Sequence, residues 1–358
     1  MNKTVYVDYH VIQSVPPSCL NRDDTGSPKT AVYGGARRAR VSSQSWKRAM
    51  RLMFRDNYDV SELGIRTLLV YGLVADEIIK LKPEMVREDA VKMAKEAFAI
   101  AGIEGKSDSS EKIKALYFMG TQQAKNLALL AVNGFSGQDE KREVIAALNE
   151  NNPVDIALFG RMVAKNALLN CDACAQVAHA ISTHRIENDY DYYTAVDDLS
   201  PDESTGAGMI GTLEYNSSTL YRYATIAAHN LYKELIGQDD AFIKAVKEFT
   251  RAFICSIPNG KQNSYAAHTV PDAVLVAIRT DRPLNLVGAF ETPIRAEGFV
   301  AASAKAFADY ATDVYNDFCH KPAKAYIIGN YLENLGDRVT LDTLLDEIGG
   351  NVSGMVAT

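Results

Sequence analysis

Residues 21–55 read NRDDTGSPKTAVYGGARRARVSSQSWKRAMRLMFR, with nine basic residues (Arg22, Lys29, Arg37, Arg38, Arg40, Lys47, Arg48, Arg51 and Arg55) against two acids, Asp23 and Asp24. That is +7 within a chain of net charge −7, which leaves −14 for the remainder. A basic island in an acidic chain is a local anion site rather than a generally sticky surface. The extended anion that suits it is a nucleic acid. The stretch also has a shape. Gly34 and Gly35 free the backbone ahead of Arg37-Arg38-Ala39-Arg40, and Ser42 and Ser43 offer N-cap hydroxyls for a helix from about Gln44. Trp46, Ala49, Met50, Met53 and Phe54 then fall on one helical face, with Lys47, Arg51 and Arg55 on roughly the other, joined by Gln44 and Arg48. The helix start adds unpaired N–H groups and a positive dipole end, both suited to phosphate. The alternative is an ordinary solvated charged rim. Against it stands the lack of any acid between Asp24 and Arg55, because solvated faces usually mix signs.

Upstream, Val5, Val7, Tyr9 and Val11 alternate with Tyr6, Asp8, His10 and Ile12, the period of a half-buried strand. A loop rich in Pro, Asp, Gly and Ser is expected from Val15 to Pro28. Downstream, the chain from about Glu62 to Ala180 reads as almost entirely helical. From Tyr192 the pattern turns to strands and glycine turns, with a small-polar loop from Ser200 to Gly211. A strand is predicted over Ala273 to Ile278 and a helix over Ala296 to Phe318. This order predicts an α+β fold, a sheet domain split by a helical one. The length of 358 residues favours two domains, and 47% apolar with 23% charged residues is a soluble globular composition. No stretch of 18 apolar residues offers a membrane span, and the first residues lack the apolar run of a signal peptide. Five scattered cysteines, an odd number, favour a reducing cytoplasm over a disulfide framework.

The run Ser18-Cys19-Leu20-Asn21-Arg22-Asp23-Asp24, followed by Tyr33-Gly34-Gly35 through Arg51, resembles the CasC backbone subunits of type I-E CRISPR surveillance complexes, Cascade. Further matches keep the same order: residues 154–162, 179–184, 193–199, 220–224 and 260–267. The resemblance implies an RRM-like (ferredoxin-like) palm with a helical fingers insertion and a β-hairpin thumb. Its boundaries would be 1–58 and 226–358 for the palm, 59–185 for the fingers and 186–225 for the thumb. It implies a cytoplasmic protein that polymerises along the crRNA in antiviral defence, holding the phosphate backbone and presenting guide bases to target DNA. The partners would be further copies of itself, six by the resemblance, other Cascade subunits and a recruited nuclease–helicase, without a membrane. Sequence is then read by base pairing rather than by protein.

Carried over residue by residue, the RNA contacts are Asn21, Arg22, Lys29, Ser42, Gln44, Lys47 and Arg51, flanked by Arg37, Arg38 and Arg48. Arginine forks onto phosphate oxygens, lysine adds point charge, and Ser42 and Gln44 can reach phosphate or 2′-hydroxyl groups. Met162 matches a position where an apolar side chain wedges against a distorted base, with core packing as its plainer role. Tyr192, Tyr193 and Thr194 fall in the thumb, where tyrosines can stack on bases or simply pack. Tyr221-Arg222-Tyr223 reads as core packing, with both tyrosines on one face of a strand.

No cofactor, metal or catalytic residue is expected. Cys171-x-x-Cys174 lacks a second ligand pair at zinc spacing and reads as buried thiols on a helix. His179 and His184 are not on one helical face and lack a nucleophile motif. The competing reading is a metal-dependent endoribonuclease in which Asp23 and Asp24 hold a divalent cation. Their plainer role is to orient Arg22 and its neighbours through ion pairs. A third reading, a sequence-specific RNA-binding module, predicts one-to-one complexes.

Overall fold

The computed structural model describes residues 4–105, 111–135, 139–195, 199, 209–235 and 238–357. Two compact units emerge: residues 1–53, 176–232 and 237–358 form one, and 54–175 with 233–236 form the other. The first begins with β1 (Tyr6–Ser18), β2 (Thr30–Tyr33), β3 (Ala36–Val41) and α1 (Ser43–Met53). The second contains β4 (Gly64–Thr67), α2 (Val70–Leu81), α3 (Arg87–Ile100), β5 (Tyr117–Gly120), α4 (Thr121–Asn133), α5 (Glu140–Asn149) and α6 (Val154–Phe159). The chain returns through β6 (Ala175–Val177), β7 (Ala180–Ser182), β8 (Asp189–Ala195) and β9 (Met209–Ala227). It ends with α7 (Ala228–Glu234), α8 (Asp239–Cys255), α9 (Gln262–Tyr265), β10 (Ala273–Arg279), α10 (Phe299–Asp317), β11 (Lys324–Ile328), β12 (Asp337–Arg338) and α11 (Leu341–Val356). This is an α+β chain.

In the first unit the main sheet runs β12-β11-β10-β1-β9-β7-β3-β2, with β6 and β8 pairing to β9. Apart from β6 with β9, its pairs are antiparallel except β11 with β12, which is parallel. β1 is central, with Tyr6 opposite Ala227 on one side and Arg279 on the other. Its alternation predicts one buried face, yet both faces are buried from Val7 to Gln13. Tyr9 packs on Phe249 and Phe253 of α8, its hydroxyl 2.9 Å from Thr250 Oγ1. On the other face His10 packs against Phe307 of α10, and Asp8 accepts hydrogen bonds from Tyr223 Oη at 3.0 Å and Leu284 N at 2.8 Å. The polar half of the repeat is therefore internally satisfied rather than wet. β1 also continues to Ser18, past the expected loop start at Val15.

β9 places Tyr221 and Tyr223 in the cluster beneath α10, as expected of them. Arg222, on the opposite face, is buried with its guanidinium 3.8 Å from the Trp46 ring centroid. α1 thus docks its apolar face, Trp46 and Met50, onto the layer that contains α8. α11 packs against the same helix.

In the second unit α2–α5 enclose Val74, Ile78, Ala94, Phe98 and Leu127. The helical expectation from Glu62 to Ala180 overlooks the short ribbon of β4 and β5, paired from Gly64–Gly120 to Thr67–Tyr117. It also overlooks the irregular stretch after α6. There Arg161 is buried, and its guanidinium donates to the carbonyls of Leu169 and Leu148, both at 2.9 Å. Cys171 and Cys174 lie in this stretch, not on a helix. Cys171 exchanges backbone hydrogen bonds with Arg161, and burial pushes the Cys174 thiol up to about 12. Residues 176–185, expected among the fingers, lie in the sheet unit, where β7 bridges β3 and β9. No helix among the described residues is long and apolar enough to cross a membrane.

Candidate nucleic-acid interface

The basic island folds as a loop, a strand pair and a helix fastened together. Asn21 Oδ1 accepts a hydrogen bond from Ser42 N at 2.9 Å, its carbonyl accepts from Lys29 N at 2.9 Å, and the Lys29 carbonyl accepts from Arg40 N at 2.9 Å. Arg22 bridges to Pro28, which closes the loop. Ser42 stands at the start of α1, its carbonyl accepting from Ser45 N and Trp46 N at 3.0 and 3.2 Å. The loop that presents Arg22 and Lys29 is thereby held at the N-terminus of α1, whose first turn contains no acid.

α1 sorts its cations as the spacing predicts. Gln44 and Arg48 are exposed, Lys47 and Arg51 are half-buried, and desolvation pulls the Lys47 ammonium below its ordinary pKa.

Arg38 departs from the expected surface role. It is fully buried, and its guanidinium donates to Ser182 O at 2.9 Å, Phe290 O at 2.8 Å, Tyr33 O at 3.2 Å and Glu291 O at 3.3 Å. β3 alternation explains the split, since Arg37 faces outward and Arg38 inward. Arg37 lines a groove of about 760 Å³ with the Gly34–Gly35 turn, Arg185, Arg295 and Phe299. Arg185 and Arg295 were not legible as members of this surface, because the topology gathers them from distant segments.

Asp23 does not orient Arg22. Its Oδ1 accepts from Thr25 N at 2.9 Å, Thr25 Oγ1 at 2.7 Å and Ser27 N at 3.1 Å. The Thr25 hydrogen bond leads the causes holding its carboxyl below the usual range. Among the described residues neither Asp23 nor Asp24 joins an ion pair. Nor is any cluster of three or more His, Cys, Asp or Glu side chains, among the described residues, placed to hold a metal ion.

β8 and β9 form a hairpin, with Asp189 opposite Tyr215 and Ala195 opposite Met209. The small-polar loop from Ser200 to Gly211 lies mostly outside the described residues, which resume at Met209. Tyr193 lies over Gly211, where a Cβ would strike its hydroxyl, so it packs on its own hairpin. Tyr192 is 64% exposed, with Tyr190, Met209 and Ile210 also exposed along the hairpin, and Thr194 is exposed. Met162, in the helical unit, is 83% exposed and so is not a core residue.

The family model of CT1975-like proteins matches residues 7–348. The chain belongs to the CT1975-like family of Cas proteins. No curated protein matches it. A chain of a structure described as "CRISPR RNA-guided surveillance complex, pre-nicking" is 31% identical to this CT1975-like chain, covering 97% of it and 100% of its own length, with a TM-score of 0.84. A second, from a "CRISPR RNA-guided surveillance complex", is 28% identical, covering 98% of each chain, with a TM-score of 0.61.

Proposed function

We propose that this CT1975-like protein is a non-catalytic backbone subunit of a Cascade surveillance complex, of the type I-E kind its motifs resemble. Copies of it assemble along the crRNA and leave the guide bases free to pair with target DNA. The observation that carries this is the surface at the β3–α1 junction. There Arg22, Lys29, Lys47, Arg48 and Arg51 come from a hydrogen-bonded loop and one helix, and the adjacent acid Asp23 is folded into its own turn. Cations fixed on one loop and one helix suit a phosphodiester backbone read independently of sequence. The full-length likeness to a chain of an RNA-guided complex supports the same reading.

In this account the sheet unit is an RRM-like palm whose faces are covered by helices, so RNA binds at its edge and not on an open aromatic sheet. Residues 54–175 are the fingers, and the β8–β9 hairpin is the thumb. The exposed Tyr190, Tyr192, Met209 and Ile210 give the thumb an apolar surface for bases or a neighbouring copy. The guide pairs with target DNA, other Cascade subunits complete the particle, a nuclease–helicase joins it, and the whole operates in the cytoplasm.

The test is a labelled single-stranded RNA incubated with the protein and magnesium or manganese, then run on native and denaturing gels. The scaffold gives shifted species over intact RNA. Shortened RNA that EDTA prevents, and that Asp23→Ala or Asp24→Ala abolishes with binding retained, would replace it with a nuclease.

A further inference from the structure

Beside the Asn21–Arg22 loop lies a turn that the site described above does not include. Gly260 rests directly on the backbone of Cys19 and Leu20, where a Cβ would run into the Leu20 carbonyl oxygen. The next residue, Lys261, adopts a left-handed backbone at φ 52°, and Ala266 does so again at φ 47°. Side chains rarely take this conformation unless their surroundings impose it, and such outliers gather at binding sites. Between the two runs α9, with the Lys261 carbonyl accepting from Ser264 N at 3.0 Å and Tyr265 N at 3.1 Å. Gln262 is buried and anchors the turn by donating to Pro258 O at 3.1 Å, while its Oε1 has no partner among the described residues. At its far end the turn meets the thumb base, with Tyr265 and Tyr215 ring centroids 5.8 Å apart.

The charges converge as well. Arg22 and Lys261 both favour the charged form of the Cys19 thiol, with Asp23 and Glu214 opposing them, which brings both cations within electrostatic range of the backbone that Gly260 contacts. Among the described residues neither has an ion-pair partner. Asn263 and Ser264 are exposed beside them. The strained turn thus sets Lys261 against the loop of Arg22, two cations without an ion-pair partner among the described residues.

We propose that the Lys261–Ser264 turn is a second wall of the nucleic-acid site, with Lys261 taking a backbone phosphate alongside Arg22 and the Asn263 and Ser264 side chains facing the sugar edge. This rests on the RNA-binding reading above. The left-handed backbone is what aims Lys261, and Gly260 is what lets the turn approach closely enough.

The test measures binding of a 50-nucleotide polyuridine RNA across a salt series for wild type, Lys261→Gly, Lys261→Asn and Lys261→Arg, with melting temperatures taken in parallel. Glycine and asparagine both tolerate the left-handed backbone, so they remove the charge without breaking the turn. The expected result is a log–log salt slope shallower by about 0.7 for both, hence about fivefold weaker binding at 0.1 M salt. Their melting temperatures should be unchanged or higher, and Lys261→Arg should keep the wild-type slope. Wild-type affinity and slope in Lys261→Gly would overturn the proposal while leaving the RNA-binding reading intact. A wild-type chain that binds no polyuridine at any salt would overturn both.

Discussion

At the scale of single residues, alternation along β3 separates two arginines that look equivalent in sequence. Arg37 is available to an anion, whereas Arg38 joins four carbonyls from three segments and holds the sheet edge together. Arg38→Ala leaves those buried acceptors unmatched and should cost about 3 kcal/mol or more, read as a lower urea midpoint. Reversing Lys47 and Arg51 to Glu should instead weaken binding to every RNA sequence about equally, with at least about 1.4 off the salt slope. Loss confined to some sequences would indicate base readout. Asp8 gives a pH signature. Burial raises its carboxyl from 3.8 to about 6, so the folded state holds that proton more tightly than the unfolded chain. The stability it contributes is present below pH 4 and is lost as pH rises through 6. Asp8→Asn should therefore gain on wild type between pH 4 and 6.5, by up to about 3 kcal/mol, and hold a constant difference above that. Parallel curves in denaturant titrations across that range would contradict the burial argument.

At the scale of elements, the thumb hairpin has two unlike tyrosines. Tyr193 covers Gly211, while Tyr192 points into solvent. Tyr192→Ala should shift the melting temperature little and weaken RNA assembly by about 1–3 kcal/mol if it stacks on a base. Tyr193→Ala should show the reverse, a loss of hairpin order seen by hydrogen exchange in residues 189–195. Periodicity made α1 and α10 legible, because each has a residue pattern that one buried face explains, and β10 was legible as an unbroken apolar run buried on both faces. It misjudged β1, whose polar positions are buried against Tyr223 and Leu284, partners more than 200 residues away. It also missed β4, β5 and β7, where three or four residues are too few to show a period.

At the scale of the whole molecule, charge asymmetry was the strongest signal in the sequence, and the fold places most of that island on one strand pair, one loop and one helix. What could not be read was recruitment from afar: Arg185, Lys261 and Arg295 reach the sheet unit's surface only because long-range strand pairing orders their segments. A chain that is −14 outside its basic island repels other copies unless a polyanion joins them through that island. Assembly should therefore depend on RNA and weaken steeply with salt. The most direct measurement is the mass of complexes formed on single-stranded RNAs of 20, 40 and 60 nucleotides, by mass photometry at low salt. The scaffold account predicts that the number of bound copies rises in proportion to RNA length, with the RNA intact. One copy per RNA at every length would contradict it.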